Sequence, residues 1–318
     1  MLTIDLITKN VDLNKNIFVA YSGGPDSTAV IHLLSLIKAD KDLNVKAIHV
    51  NHNLSENSKL WESHCIEKCS KLNIDLIVES VDIRSDGGGL EAASRKARYQ
   101  IFEKLLNKGD QLLLGHHIDD VAETVFMRLL RGTGIEGMEG PHEKRAIGRG
   151  ILIRPLLEVS KKQILDYLSN EKINFIDDDS NHSNNFDRNF LRNKIFPLLE
   201  ERWKNFPKRI SKTSSILRNH NKVYAELINQ EYGELIANNI DLKKIRTLPE
   251  QIVVDILRFS IKKCNIAAPN SKIIEEIIKT FIHSNPGPKS LVTWSRSDKE
   301  EVAGKITYEN GCIIISKR

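Results

Sequence analysis

Asn16–Ala39, NIFVAYSGGPDSTAVIHLLSLIKA, decides how the first two-thirds of the chain is read. NIFVAY (16–21) is a short apolar, β-branched run and predicts a strand. A turn of small residues follows, Ser22-Gly23-Gly24-Pro25-Asp26-Ser27. Beyond it, the apolar residues of TAVIHLLSLIKA recur at helical spacing. Backbone N–H groups in such a turn, at the start of a helix, form an anion site to which the helix dipole adds. Gly23 and Gly24 let the chain turn tightly and approach a phosphate, and Ser22 and Ser27 add hydroxyl donors. No Gly-Lys-Ser/Thr follows, so this is not a Walker loop, and the spacing is not that of GxGxxG. From these residues alone, a well-capped strand–helix turn is the competing reading.

The same alternation continues downstream. VKAIHV (45–50), IDLIVESV (74–81) and QLLLG (111–115) read as strands, and a fifth, ILIRPLL, begins at Ile151. SKLWESHCIEKCSKL and DDVAETVFMRLLR read as helices between them. Strands separated by helices imply right-handed crossovers and a parallel sheet, hence an α/β fold of Rossmann-like type. Two glycine-rich interruptions stand out, Gly87-Gly88-Gly89 and Gly132–Gly150. The second is long for a connection and is expected to be a mobile lid. Prolines at 197 and 207 bracket FPLLEERWKNFP, which places a domain boundary between residues 1–206 and 207–318. The smaller C-terminal domain reads as helices near 211–237, 249–264 and 271–284, then strands. KITYE-NG-CIIIS is a hairpin signal, because Asn310-Gly311 supplies the positive φ of a type I′ turn.

Composition sets the outer bounds. With 40% apolar and 28% charged residues over 318 positions, the chain is of ordinary globular type, not a collagen or a disordered chain. No stretch approaches the ~18 apolar residues of a spanning helix, and MLTIDLITKN lacks the features of a signal peptide. Four cysteines are too few for a disulfide scaffold, which favours a cytoplasmic location. Cys65 and Cys69, four apart on a predicted helix, read as packing, with Cys264 and Cys312 placed in the other domain. Net charge is +5, but Ser183–Lys222 carries ten Lys/Arg against three Asp/Glu, a local +7. A polyanion-binding surface needs such a zone, and so does a merely solvated helical face.

His116-His117-x-Asp119-Asp120-x-x-Glu123 falls where a strand's carboxyl end meets a helix, the place where open α/β sheets bind ligands. Asp120 and Glu123 are i,i+3 and share a helix face. Two carboxylates there can hold Mg²⁺ or a substrate ammonium, or can simply be acids favoured at a helix N-terminus. Arg128 and Arg131, like Arg95 and Arg98, are three apart, fit either to grip phosphates or to stand in solvent. The Phe126, Met127, Leu129, Leu130 stripe reads as core.

The turn matches the SGGxDS of the PP-loop ATP pyrophosphatases, and further blocks narrow the resemblance. IHVNHNL (48–54), EAASRKARY (91–99), LLGHHIDDVAETVFMRLLRGTG from Leu113, Arg154-Pro155-Leu156-Leu157, and DDDSNHSNNFDRNFLRNKIFP from Asp177 resemble, in order, the blocks of the tRNA(Ile)-lysidine synthetase family. The C-terminal third resembles that family's helical-plus-β domain more loosely. The resemblance implies a ligase that uses ATP and Mg²⁺ to join free L-lysine to the wobble cytidine of an isoleucine tRNA with a CAU anticodon. It implies an ATP-binding catalytic domain over 1–206 and a tRNA-binding domain over 207–318. Ser22, Gly23, Gly24, Pro25, Asp26 and Ser27 are then the ATP phosphate site, and Asp26, His116, Asp120 and Glu123 the catalytic set. Asp26 and Asp120 are the implied Mg²⁺ ligands. Asp120, Glu123, Arg128, Arg131, Arg188 and Arg192 are expected to bind lysine or tRNA. A tRNA thiolase or a non-catalytic ATP-binding module are the alternatives, no membrane is expected, and a homodimer is left open.

Overall fold

The computed structural model describes residues 2–83, 89–178, 184, 186–295 and 302–318. After a helical turn, α1 (Asp5–Thr8), the chain builds β1 (Ile17–Ala20), α2 (Pro25–Asp40), β2 (Val45–Asn51), α3 (Ser58–Lys71), β3 (Asp75–Ser80), α4 (Leu90–Leu105), β4 (Gln111–Leu113) and α5 (Ile118–Leu130). The four strands and the helices α3 and α5 are as predicted, within two residues; α2 begins three residues earlier than its apolar spacing showed, and α1 and α4 were not predicted. Next come α6 (Ile135–Met138), β5 (Lys144–Ile147), β6 (Gly150–Ile153) and α7 (Lys161–Asn170). The sheet order is β3-β2-β1-β4-β6-β5. All neighbours are parallel except β5, which runs antiparallel to β6.

This order sets two connections side by side. The chain travels from β1 outward to β3, then returns to place β4 on the other flank of β1, with Val19 opposite Leu113. Crevices in open parallel sheets form outside the carboxyl ends of two such strands. The turn after β1 and the His116–Glu123 segment after β4 therefore face one crevice. The sheet is buried on both sides. Ile17, Val19, Ile31, Leu34 and Leu113 form one cluster, and Phe18, Phe102, Leu106, Leu112 and Leu152 the other.

Gly132–Gly150 is not a single loop. α6 occupies its first half, and β5 is hydrogen-bonded in register along β6 in its second. Lid motion by the whole segment would break that ladder, so the expectation of a free lid is corrected. Gly87 and Gly88 of the triple glycine lie outside the described residues. The expected core stripe on α5 also divides. Phe126 and Met127 pack against Leu191, Phe196 and Phe206, whereas Leu129 and Leu130 are 54% and 73% exposed. Two adjacent residues point in different directions on a helix, so the last turn of α5 as a whole stands clear of the core.

The chain continues through α8 (Asp187–Phe190), a π-turn at Leu191–Ile195, α9 (Phe196–Arg202) and the long α10 (Phe206–Tyr232). It separates into two compact units, residues 1–84 with 97–221 and residues 85–96 with 222–318. α10 runs on through the boundary anticipated at 206/207, and the units divide instead within that helix, between 221 and 222. The second unit contains β7 (Asn239–Asp241), α11 (Leu242–Ile245), α12 (Glu250–Lys263), α13 (Ser271–Ile277), β8 (Leu291–Trp294), β9 (Gly304–Glu309) and β10 (Cys312–Lys317). Its antiparallel sheet has the order β7-β10-β9-β8, and its core is Ile256, Leu257, Ile277, Phe281, Ile306 and Ile313. Asn310 and Gly311 take φ of 49° and 83° at the β9–β10 turn, the predicted type I′ geometry. Among the described residues no helix is long and apolar enough to cross a membrane.

Candidate active site

The Ser22–Ser27 turn is held from within. Ser27 Oγ accepts the Ser22 N–H at 3.2 Å and donates to Gly24 O at 3.1 Å, while Thr28 Oγ1 donates to Gly23 O at 3.1 Å. The serine hydroxyls thus shape the turn as well as line it. Gly24 caps α2 with no side chain of its own, and Pro25 takes the first helical position, where a missing N–H costs nothing. Gly23 has φ of 81°, and a Cβ there would lie 2.4 Å from Ile176 Cδ1. Ile176 also donates its N–H to Gly23 O at 2.9 Å, so the segment leading to Asp177 covers the turn. Gly115 is equally constrained: a Cβ on it would lie 2.7–2.9 Å from the Asp26–Ser27 backbone. Sequence reasoning missed Gly115, because its need appears only when β4 lies beside β1.

Asp26 projects from the turn into a charged network. Lys161 Nζ donates to its Oδ1 at 2.7 Å, and His117 Nε2 lies 3.6 Å from the same oxygen. His117 Nε2 is also 3.5 Å from Asp120 Oδ2, and its Nδ1 is 3.4 Å from Asp119 Oδ2. Asp120 Oδ2 accepts the His117 backbone N–H at 2.9 Å, which closes the start of α5. Burial disfavours a charge on His117, but Asp120, Asp119 and Asp26 outweigh it and raise its pKa. Burial likewise opposes charge on Asp120, yet His117, His116 and Arg188 hold it well below the usual carboxylate range. The His117 imidazole thus lies among three carboxylates, those of Asp26, Asp119 and Asp120.

Glu123, one helical turn on, is fully buried and doubly gripped. Arg192 donates Nε to Oε1 at 2.6 Å and Nη2 to Oε2 at 2.9 Å, and Arg188 donates Nε to Oε2 at 2.7 Å. Arg192 Nη2 also reaches Asp120 Oδ1 at 3.4 Å. Arg188 and Arg192 are i,i+4 and face α5 together, and the π-turn begins between them at Leu191. Such turns inside helices are often found at functional sites. Burial pulls both guanidinium pKa values down, but their carboxylate partners raise them, so both stay charged.

The structure therefore brings Asp26, Asp120, Glu123, Arg188 and Arg192 together. His116 stands beside them, with its Nδ1 accepting from Arg154 Nε at 2.9 Å. An accepting Nδ1 leaves Nε2 to carry the proton in the neutral ring. Arg154, itself buried, donates Nη1 to His142 O at 2.6 Å and so ties the site to the approach to β5. The other two expected arginines are placed differently. Arg128 donates to Gly137 O at 2.9 Å and fastens α5 to α6, and Arg131 is exposed, 3.9 Å from Asp187. Arg98 lies near His52, where burial first, then Arg98 and His49, push the imidazole pKa down to about 4. Lys161 was not singled out from sequence, and His117, Asp119 and Arg154 stood in quoted motifs without a role of their own. For Lys161 the sequence carried no signal.

Cys65 and Cys69 are buried, as expected of packing residues. Burial pushes each thiol up to about 12. Among the described residues no group of three or more His, Cys, Asp or Glu is arranged to hold a metal by itself.

Comparison with known proteins agrees with this fold and turn. Residues 3–199 match the PP-loop domain family, and the chain is a PP-loop protein. The tRNA(Ile)-lysidine synthase of Actinobacillus pleuropneumoniae serotype 3 (strain JL03) is 31% identical over 290 residues, 89% of this chain and 68% of that one. That of Buchnera aphidicola subsp. Acyrthosiphon pisum (strain APS) is 33% identical over 283 residues, 88% of this chain and 64% of that one. The chain belongs to the tRNA(Ile)-lysidine synthase family. Among solved structures, the U34-tRNA thiolase NcsA from Methanococcus maripaludis superposes with a TM-score of 0.55 at 18% identity, covering 68% of this chain and 78% of that one. At that identity the likeness describes the fold alone.

Proposed function

We propose that this chain joins lysine to C2 of the wobble cytidine in a CAU-anticodon isoleucine tRNA, at the expense of ATP. The cytidine O2 attacks the α-phosphate, pyrophosphate leaves, and the lysine ε-amine then displaces AMP from C2. The product changes the codon read from AUG to AUA. The observation that carries this reading is the unbroken run of charged contacts from Asp26 in the phosphate turn, through His117, to Asp120 and the Glu123–Arg188–Arg192 cluster. It supports a reading in which a nucleotide site and an acidic, arginine-lined site lie side by side, as two consecutive transfers on one cytidine require.

The roles follow from the contacts. Residues Ser22–Ser27 bind the ATP phosphates through backbone donors. His116, with Nε2 as its donor, supports charge developing on phosphate oxygens. Asp120 and Glu123 attract the lysine ammonium and accept its proton before attack, and Arg188 and Arg192 receive the lysine carboxylate or a tRNA phosphate. Glu123 now has both oxygens on guanidinium groups, so lysine binding exchanges these partners. Mg²⁺ typically takes one or two carboxylates and otherwise phosphates and water. Asp120 has Oδ2 on the His117 N–H and Oδ1 facing Arg192, which leaves Asp26 as the carboxylate that fits. Bound there with ATP, the ion would neutralise phosphate charge. The test is incorporation of radiolabelled lysine into an isoleucine tRNA transcript with a CAU anticodon. ATP-dependent labelling lost in Asp26→Ala is expected. Pyrophosphate release without labelling would hand the second step to another nucleophile.

A further inference from the structure

Phosphate loops of the Gly-Lys-Ser/Thr kind carry a lysine beside their glycines that reaches the β- and γ-phosphates. Ser22–Ser27 has none. The fold supplies one from elsewhere, because Lys161, 135 positions beyond Asp26, places its Nζ 2.7 Å from the Asp26 carboxylate. Its backbone is fixed from several sides. Ser160 caps α7 by accepting the Gln163 N–H at 3.2 Å, and Gln163 Oε1 accepts the Ser160 N–H at 2.9 Å. The Lys161 N–H itself donates to Asp119 Oδ2 at 2.9 Å, and Ile118 N–H donates to Val159 O at 2.9 Å. The start of α7 is thereby anchored to the start of α5, while the lysine side chain remains 35% exposed and reaches across to the phosphate turn.

An ammonium group has three donors and sits on a flexible stem, so it can change partners without moving its backbone. Arg188 and Arg192 face Glu123 instead, Arg192 by a fork of two bonds and Arg188 by one. We propose that Lys161 is a nucleotide-binding residue that leaves Asp26 for the β- and γ-phosphates when ATP enters the turn. There it neutralises the charge that builds on pyrophosphate as it departs, and it frees the Asp26 oxygen. This rests on the ATP reading above.

The test is equilibrium binding of magnesium ATP and of AMP to the wild-type protein, Lys161→Ala and Lys161→Arg, without tRNA, followed by tRNA-dependent pyrophosphate release. AMP lacks the phosphates that Lys161 would hold. Lys161→Ala should weaken ATP tenfold or more, change AMP less than twofold, and slow pyrophosphate release. Lys161→Arg should recover most of the ATP affinity. The bond to Asp119 is from the backbone and survives in both variants, so the start of α7 stays in place. Unchanged ATP affinity in Lys161→Ala overturns the proposal. So does an equal loss for ATP and AMP, which would make the lysine a support of the turn's shape. A wild-type protein that binds no ATP overturns the nucleotide reading itself, and the proposal with it.

Discussion

Arg192 grips Glu123 with two near-parallel hydrogen bonds, Nε to Oε1 at 2.6 Å and Nη2 to Oε2 at 2.9 Å, across 69 positions of sequence. Glu123 is fully buried, whereas the Arg192 side chain is 38% exposed. Water screens the arginine end, and the pair falls short of the ~3–5 kcal/mol lost when a wholly buried partner is removed. Glu123→Gln keeps the shape but presents an amide to two guanidinium groups. It should cost about 2 kcal/mol in a urea titration and abolish lysine incorporation. Arg131→Ala, at an exposed position, should stay within about 0.5 kcal/mol of wild type.

Gly115→Ala tests the close approach of β4 to the phosphate turn. The added methyl would meet the Asp26–Ser27 backbone at 2.7–2.9 Å, where no flexible side chain can yield. Overpacking of this kind costs roughly 1–3 kcal/mol, and here it also displaces the N–H donors of the turn. ATP affinity should fall at least tenfold by calorimetry. Gly134→Ala is the control. Its φ is −76° and nothing lies within 4 Å of the added atom, so stability and ATP binding should both be retained.

That pair of glycines marks what the sequence could and could not disclose. Strand, turn and helix around Ser22–Ser27 were readable because periodicity and turn chemistry are local. So were Asp120 and Glu123, which share a face by spacing alone. Arg188 and Arg192 were named too, but their pairing with Glu123 was not readable, nor was that of Lys161 with Asp26, because these contacts form only through the sheet order and a π-turn. Strand β5 was hidden for a related reason. It lies among glycines that signal a loop, and its antiparallel pairing with β6 is tertiary. Leu129 and Leu130 carried a core pattern but sit on a turn that outruns the core.

Cys65 and Cys69 allow a test with a defined sign. Their ordinary thiol pKa is near 9, and burial raises it to about 12 in the folded chain. Below pH 9 both states keep their protons and the thiols impose no pH dependence. Between about 9 and about 12 the unfolded chain loses protons that the folded chain keeps, so stability falls as pH rises. Cys65→Ala/Cys69→Ala should flatten that alkaline limb in denaturant titrations while retaining lysine incorporation. In the wild type at pH 8, iodoacetamide should label Cys264 and Cys312, which are partly exposed, before either buried thiol. Loss of activity in the double variant, with a requirement for a sulfur donor, would favour thiolation instead.

The basic zone yields the last prediction, and the structure sharpens which of its residues to choose. Arg188 and Arg192 pair with Glu123 inside the site, and Arg218 donates to Glu139 O at 2.6 Å and Pro141 O at 3.2 Å. Lys194, Arg202, Lys204, Lys208, Arg209 and Lys212 are exposed on the same unit, and among the described residues their side chains make no such internal bond. Phosphate contacts by such residues release counterions, with a salt slope of about 0.7–0.9 per contact. Lys208→Glu/Arg209→Glu should therefore weaken tRNA binding about tenfold near 0.1 M salt and lower the slope by roughly 1.5. Filter binding across a salt series reads both quantities. Because the two side chains stand in water at the start of α10, ATP affinity and the unfolding midpoint should not move. A tRNA affinity equal to wild type at every salt concentration would mean that this charge serves only to solvate the helix.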